Sequence, residues 1–195
     1  DLDVASADSA ESDAPVLCEA LATDPIYLMY TSGSSGKPKG ALVPHRGIVR
    51  FALAQDKLHL GPPHTFLHTC ALAFDASAQE IWCPLLSGAR VSIVRNHPPS
   101  VSDIADAIAE TGVTAAVLPT AIFHLLAEHR PQALRGLKQL IVGGEVLSPA
   151  AVRRVYGAVP EIEILNGYGP TENTVVGTVF PVPRDFPLDT PLPIG

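Results

Sequence analysis

The sequence predicts an α/β domain with a mostly parallel sheet flanked by helices. Three observations lead there. From about residue 65 to residue 165, short apolar runs of strand length alternate with stretches of helix length, the order of right-handed βαβ units. One run, 113–118, is apolar almost throughout, as strands buried on both faces are. The chain has 195 residues, 47% of them apolar and 17% charged, enough to bury a substantial core.

Taken in order, residues 26–30 form a short apolar run with strand character, and 41–43 resume one after a Gly/Ser-rich loop. Residues 45–60 carry Ile48, Val49, Phe51, Ala52, Leu53 and Leu58 at spacings that suit one amphipathic helix. His45 reads as the start of that helix in preference to a base. A strand is expected over 65–70 and a helix over 75–86, stopped by Ser87-Gly88. A strand over 89–94 follows. Ser100 or Ser102 can cap a helix that ends at Thr111-Gly112. Strand 113–118, helix 120–129 and strand 137–142 come next. Ser148 caps a helix through Tyr156 with Pro149 at its first position, and 162–165 is a strand. Residues 181–193 hold five prolines and read as an extended connector. There is no internal repeat.

The net charge of −7 is local. Residues 1–24 carry seven acids and no Lys or Arg, so the rest balances 13 acidic against 13 basic residues. The acidic stretch reads as a solvated, linker-like leader, with the folded domain over 25–195. No basic patch with interleaved aromatics points to nucleic acid, no apolar run is long enough for a membrane span, and no signal peptide is evident. Cys18, Cys70 and Cys83 lack metal spacing and read as buried, reduced thiols of a cytoplasmic protein.

Three motifs carry chemistry. In residues 30–40, Thr31, Ser32, Ser34 and Ser35 alternate with Gly33 and Gly36, and Lys37 and Lys39 follow. Glycines let the backbone approach an anion, successive N–H groups form a nest, and hydroxyls and a lysine complete a polyphosphate cradle. The spacing is neither a Walker A loop nor a dinucleotide fingerprint. The second motif, Phe74-Asp75-Ala76-Ser77, opens a helix, where Asp75 suits a cap. The third, Asn166-Gly167-Tyr168-Gly169-Pro170-Thr171-Glu172, follows a strand, where ligands of parallel sheets bind.

With these three segments in this order, the chain over 26–195 resembles the adenylate-forming (AMP-binding) superfamily, and among its branches the adenylation domains of nonribosomal peptide synthetases. The resemblance implies part of the large N-terminal subdomain of that fold, lacking its N-terminal part and the C-terminal subdomain. It implies that Thr31, Ser32, Gly33, Ser34, Ser35, Gly36 and Lys39 hold ATP phosphates, with Lys39 the better phosphate ligand than Lys37. Gly143, Gly144 and Glu145 would lie beside the nucleotide. Asn166 would bond the adenine amino group, Tyr168 would lie along the ring, Gly167 and Gly169 would belong to the same ATP-binding segment, Thr171 would touch the α-phosphate, and Glu172 would coordinate Mg²⁺. Thr171 and Glu172 are the expected catalytic pair.

In amino-acid-activating members, the Asp of the second motif binds the substrate's α-ammonium. Aryl-acid activators typically carry Asn and acyl-CoA synthetases generally lack the Asp, so Asp75 implies an α-amino acid. Motif alignment adds Ala76, Gln79, Val117, Ile141, Gly143, Gly167, Val175 and Val176 as pocket lining, although Val117 and Ile141 equally suit a packed core. None of these is ionised, so a neutral, mainly apolar amino acid is expected. Gln79 departs from the Trp common at its position and can bond a polar or imino group.

The implied reaction converts amino acid and ATP to aminoacyl-AMP and pyrophosphate. The product would then load the phosphopantetheine thiol of a carrier protein, beside condensation domains. The ribose-binding Asp motif and the C-terminal Lys of the family do not occur here, so the 195-residue chain alone is expected to have little activity. The alternatives are acyl-CoA-synthetase-type activation of a carboxylic acid, and a nucleotide-binding module inactive in isolation.

Overall fold

A computed structural model describes residues 18–33, 36–54 and 57–195. The acidic leader lies outside the described residues up to residue 17. Its last residues form a turn in which Asp24 accepts the Leu21 N–H, and this turn is bonded to the start of the first helix through Arg46 and His45.

Strands β1 (Pro25–Thr31) and β2 (Lys39–Pro44) form an antiparallel hairpin. Helix α1 (His45–Leu53) follows directly. The rest builds one six-stranded sheet. β3 (Thr65–His68) leads through α2 (Ala76–Leu86) to β4 (Arg90–Ile93), and α3 (Val101–Glu110) returns the chain to β5 (Ala115–Pro119). Helix α4 (Thr120–His129), β6 (Gln139–Gly143), α5 (Pro149–Ala158) and β7 (Glu163–Tyr168) extend it, and β8 (Thr178–Pro181) closes the edge. The strand order is β4-β3-β5-β6-β7-β8, parallel throughout except for the antiparallel β7–β8 pair. The expected mostly parallel α/β sheet is present.

The chain runs from β3 outward to β4, then reverses and crosses to β5. This reversal is a topological switch point between β3 and β5, where a crevice opens at the strands' carboxyl ends. It also divides the helices. Ala116, Leu118, Leu140, Val142 and Ile164 point to one face of the sheet, where α3, α4 and α5 supply Ile104, Phe123 and Val155. The alternate residues Ala115, Val117, Ile141 and Leu165 point to the opposite face, because strand side chains alternate with period two. In-register pairing sets Val117 beside Ile141 and Ile141 beside Leu165. This second face lies towards α2.

Several boundaries differ from expectation. α1 ends at Leu53 instead of running to residue 60. A long-range contact sets the limit: the buried Gln139 accepts the His59 N–H at 3.2 Å and donates to the Lys57 carbonyl at 2.7 Å. That captures the backbone in an extended path. β3 stops at His68 because the next two N–H groups turn towards a carboxylate on α2. β8 matches no strand expected from the apolar runs. The cysteines also depart from a uniformly buried set: Cys83 is buried, Cys70 half-buried and Cys18 exposed, and all three are free.

Of the two candidate caps for α3, Ser100 takes the role. Its hydroxyl accepts the Asp103 N–H while Asp103 accepts the Ser100 N–H, a reciprocal capping box. The Ser100 hydroxyl and backbone bonds, with Asn96, hold the Asp103 carboxyl below the usual range. A depressed carboxylate contributes stability above its unfolded pKa and loses it as pH falls through the folded value. Ser100→Ala is therefore expected to lower the unfolding midpoint at neutral pH and to flatten its acid dependence, which thermal melts from pH 7 to pH 3 would measure.

Candidate active site

A cavity of about 770 Å³ opens beside the switch point. Its floor comes from the carboxyl ends of β5, β6 and β7, through Val117, Pro119, Ile141, Gly143 and Gly167. One wall is the β3–α2 connection with the first turn of α2: Thr69, Cys70, Ala71, Phe74, Asp75, Ala76 and Gln79. Val175 and Val176 form another wall, and His97, Pro98 and Pro99 after β4 complete the rim.

Every residue expected to line a substrate pocket is brought to this one cavity: Asp75, Ala76, Gln79, Val117, Ile141, Gly143, Gly167, Val175 and Val176. Parallel register explains four of them. Val117 pairs with Ile141, and Gly143 pairs with Gly167, so three strand ends present matched layers to one opening. Val117 and Ile141 also belong to the sheet's second apolar face, so they are core residues whose edges reach the cavity.

The glycines are there for room. A Cβ on Gly143 would lie 2.7 Å from the Gly167 carbonyl oxygen, and one on Gly167 would lie 2.9 Å from the Ile141 side chain. Because the Gly143 clash is with backbone, Gly143→Ala is expected to destabilise the protein by about 1–3 kcal/mol, the usual range for an overpacked interior. Chemical denaturation would measure it.

Asp75 precedes α2 but does not cap it. Its backbone is already helical, and its carboxylate accepts no helix N–H. Instead the Thr171 hydroxyl donates to Asp75 Oδ2 at 2.6 Å across 96 residues of sequence. The second and third motifs therefore meet side chain to side chain. Tyr27 of β1 has a buried hydroxyl without a protein partner among the described residues. Burial, then the Asp75 charge, pushes its pKa up to about 12.

The sequence reading missed what holds this wall. Glu80 of α2 is completely buried and accepts four bonds: His68 Nδ1 at 2.6 Å, and the Thr69 N–H, Thr69 hydroxyl and Cys70 N–H each at 2.9 Å. The signal was present: Glu80 is the only charged residue in the helix over 76–86, and a buried acid needs donors. Burial, followed by the Glu80 charge, pushes the Cys70 thiol up to about 12, which keeps it protonated beside the cavity.

The third motif reaches the same opening through Gly167 and Gly169. Asn166 is buried and donates through Nδ2 to the Pro193 carbonyl at 2.8 Å, which leaves its Oδ1 as an acceptor. Gly144 and Gly169 line the cavity. Thr171–Asn173 form a short 3-10 turn, with Glu172 exposed and Tyr168 about half exposed. Arg50 of α1 donates to the Asn173 carbonyl at 3.3 Å, and Val175 and Val176 pack with Val43 and Ile48. Glu145 borders the loop whose carbonyls accept the Thr120 hydroxyl. Glu145, Asn166, Tyr168, Thr171 and Glu172 do not themselves line the cavity.

The Gly/Ser-rich loop joins β1 to β2. Ser34 and Ser35 lie outside the described residues. Thr31 pairs with Lys39, the Thr31 hydroxyl donates to the Lys39 carbonyl at 3.4 Å, and Gly36 turns with φ +78°. Lys37 and Lys39 are both exposed, and none of the described loop residues lines the cavity. β2 leads directly into α1, whose Ile48 and Arg50 contact the segment after the third motif.

A family model described as AMP-binding enzyme matches residues 2–195. The chain belongs to the AMP-binding enzyme family. It is 38% identical over 175 residues to tyrocidine synthase 3 of Brevibacillus parabrevis, covering 89% of the chain and 3% of that protein. It is 36% identical to L-allo-isoleucine:holo-[CmaA peptidyl-carrier protein] ligase of Pseudomonas savastanoi pv. glycinea, covering 87% of the chain and 29% of that ligase.

Among solved structures, it superposes with a TM-score of 0.86 on holo-PA1221, a nonribosomal peptide synthetase protein containing adenylation and carrier domains. That match is at 34% identity and covers 100% of this chain and 33% of that one. The N-terminal subdomain of Klebsiella oxytoca NpsA bound to 3-hydroxybenzoyl-AMSN gives 0.84 at 31% identity, over 96% of this chain and 47% of that one. This AMP-binding segment thus spans less than half the length of these relatives and has the fold of an adenylation N-terminal subdomain.

Proposed function

We propose that this chain is the amino-acid- and nucleotide-binding part of an adenylation domain that converts an α-amino acid and ATP to aminoacyl-AMP and pyrophosphate. The observation that carries the reading is Asp75. It is a carboxylate at the wall of an apolar cavity, it is not used as a helix cap, and its Oδ2 is already fixed by Thr171. Its Oδ1 accepts the α-ammonium. Such a charge-assisted bond is stronger in a partly dry cavity than in water.

The cavity beyond Asp75 receives the side chain. Its lining includes Ala76, Val117, Ile141, Val175 and Val176 but no ionised side chain to pair a charged substrate group, so a neutral, mainly apolar amino acid fits. With the ammonium anchored, the carboxylate is presented towards the third motif. The enzyme needs no covalent nucleophile: it aligns the carboxylate with the α-phosphorus and neutralises charge.

The residues present fit a nucleotide. Gly143 and Gly167 keep the strand ends clear where a Cβ would clash, and Asn166 retains an acceptor for an adenine amino group. Tyr168 exposes an aromatic face for the base. Gly144, Glu145 and Gly169 flank it, and Thr171 reaches the α-phosphate. The hydroxyls and glycines from Thr31 to Gly36, with Lys39, take the outer phosphates. Glu172 offers an exposed carboxylate, and among the described residues no cluster of three metal-binding side chains exists. That suits Mg²⁺, which is usually held by one or two carboxylates together with phosphates and water. When bound, the ion neutralises triphosphate charge.

The aminoacyl group then passes to a carrier-protein phosphopantetheine thiol, with condensation domains as further partners in a cytoplasmic synthetase. The carrier partner is supported by holo-PA1221, in which adenylation and carrier domains share one protein. ATP–pyrophosphate exchange and calorimetric ATP binding test the proposal, in the complete domain and in the 195-residue chain. Amino-acid-dependent exchange is expected from the first and little from the second. ATP binding by the complete domain with no exchange for any amino acid would favour a non-catalytic nucleotide-binding module.

A further inference from the structure

Thr171 has two anionic acceptors to serve and one proton to give. Its hydroxyl donates to Asp75 Oδ2 at 2.6 Å, a short bond assisted by the carboxylate charge. Asp75 accepts no helix N–H, so this bond ties the carboxylate to the third motif. A hydroxyl carries a single O–H, and the oxygens of a nucleotide α-phosphate only accept. Thr171 therefore cannot donate to Asp75 and to a phosphate at the same time.

The segment that carries Thr171 is held under strain. Thr171–Asn173 is a single 3-10 turn. The next two residues, Thr174 and Val175, have φ of +60° and +67°, a region that β-branched side chains rarely adopt. Their surroundings impose it. The Gly177 N–H donates to the Tyr168 carbonyl at 2.9 Å and closes the loop at its base. Arg50 of α1 holds the Asn173 carbonyl at 3.3 Å, and Val175 packs with Val43 and Ile48 while lining the cavity. Strain of this kind clusters at ligand clamps and switch segments.

We infer that Thr171 is a positioning residue for the amino acid: its hydroxyl occupies Asp75 Oδ2 until an α-phosphate takes it, and the released oxygen then accepts a second N–H of the α-ammonium. The inference rests on the amino-acid-activating reading above and adds a regulation of that site. An ammonium has three N–H donors. While Oδ2 is bonded to Thr171, Asp75 offers it Oδ1 alone. With both oxygens available, the ammonium is held more tightly and in a more defined orientation. ATP thus raises the affinity for the amino acid, and by linkage the amino acid raises the affinity for ATP by the same factor.

Calorimetric binding by the complete adenylation domain carrying this segment tests this, as wild type, Thr171→Val and Thr171→Ser. One probe is the standard amino acid that gives the fastest ATP–pyrophosphate exchange. The other, with Mg²⁺, is α,β-methylene-ATP, which keeps phosphate oxygens but cannot release pyrophosphate. Adenosine, which has no phosphate, is the control. In the wild type the analogue is expected to tighten amino-acid binding at least about fivefold, the lower end of typical coupling between sites, and adenosine to leave it unchanged. Thr171→Val keeps the shape and removes the proton. Without nucleotide it is expected to bind the amino acid at least as tightly as the wild type does, and its coupling should fall below about twofold. Thr171→Ser should restore the coupling. A hydroxyl with a structural role alone would instead weaken amino-acid binding equally with and without the analogue. That result, equal coupling in Thr171→Val and wild type, or no coupling in the wild type would each overturn the inference and leave the activation reading standing. Exchange with no amino acid in the wild type would overturn both.

Discussion

Asp75→Ala is expected to abolish most amino-acid activation. The carboxylate sits at a cavity wall with one oxygen held by Thr171 and no helix N–H to cap, so its removal deprives the ammonium of its counter-charge in a site poor in water. Losing one member of such a pair costs about 2–5 kcal/mol, a fall in kcat/KM of between about thirtyfold and several thousandfold. The variant should fold, because the Asp75 side chain accepts no N–H of α2. The Michaelis constant for ATP should change far less than that for the amino acid. Asp75→Asn separates charge from shape: it keeps a bond to Thr171 and loses the anion, so it should be nearly as impaired. Unchanged activation of a carboxylic acid by Asp75→Ala would instead favour an acyl-CoA-synthetase-type enzyme.

The second large effect is on stability. Glu80→Ala removes the acceptor of four hydrogen bonds at a site with no exposure to solvent. The stranded donors are His68, the Thr69 hydroxyl and two backbone N–H groups that water cannot easily reach. A loss on the order of 4 kcal/mol is expected, a large share of the stability of any single domain, and denaturant titration would show it. Glu80→Gln is the informative partner. It preserves volume but turns an amide NH₂ towards donors, so it should lose less stability and still loosen the loop from Thr69 to Asp75. The expected signature is a raised KM for the amino acid with kcat less affected, because that loop carries Cys70, Ala71, Phe74 and Asp75 to the cavity. A normal KM in a folded Glu80→Gln enzyme would mean that the anchor serves the fold alone.

Much of this arrangement is legible in the amino-acid sequence. The order of strands and helices follows from apolar runs and punctuation because parallel βαβ units are locally encoded: each strand is a short apolar run and each helix carries its own stop. Helix 120–129 and the Ser148 cap are read from their own residues. Features set by distant residues are not legible. α1 stops early because Gln139, more than 80 residues away, binds the backbone of Lys57. β8 is an antiparallel edge strand that pairs, among the described residues, with β7 alone, and its proline-rich continuation offers no period to read.

The site divides in the same way. The site residues are named from resemblance, and the switch point explains why the nine expected to line the substrate pocket share one cavity. That Asp75 accepts from Thr171 and not from its own helix, and that Glu80 ties down the loop, are facts of tertiary contact. Gln79 lies between these cases: its identity is visible in the sequence, but that its buried amide lacks a partner among the described residues follows from the packing around it.

The central claim is that Asp75 and its cavity bind an α-amino acid through its ammonium. The most direct measurement compares ATP–pyrophosphate exchange by the complete domain for each standard amino acid and for its analogue lacking the α-amino group. Exchange with one or a few neutral amino acids, and none with their deaminated analogues, is the expected result. Equal exchange with the deaminated analogues, or a preference for Asp, Glu, Lys or Arg, would contradict the account.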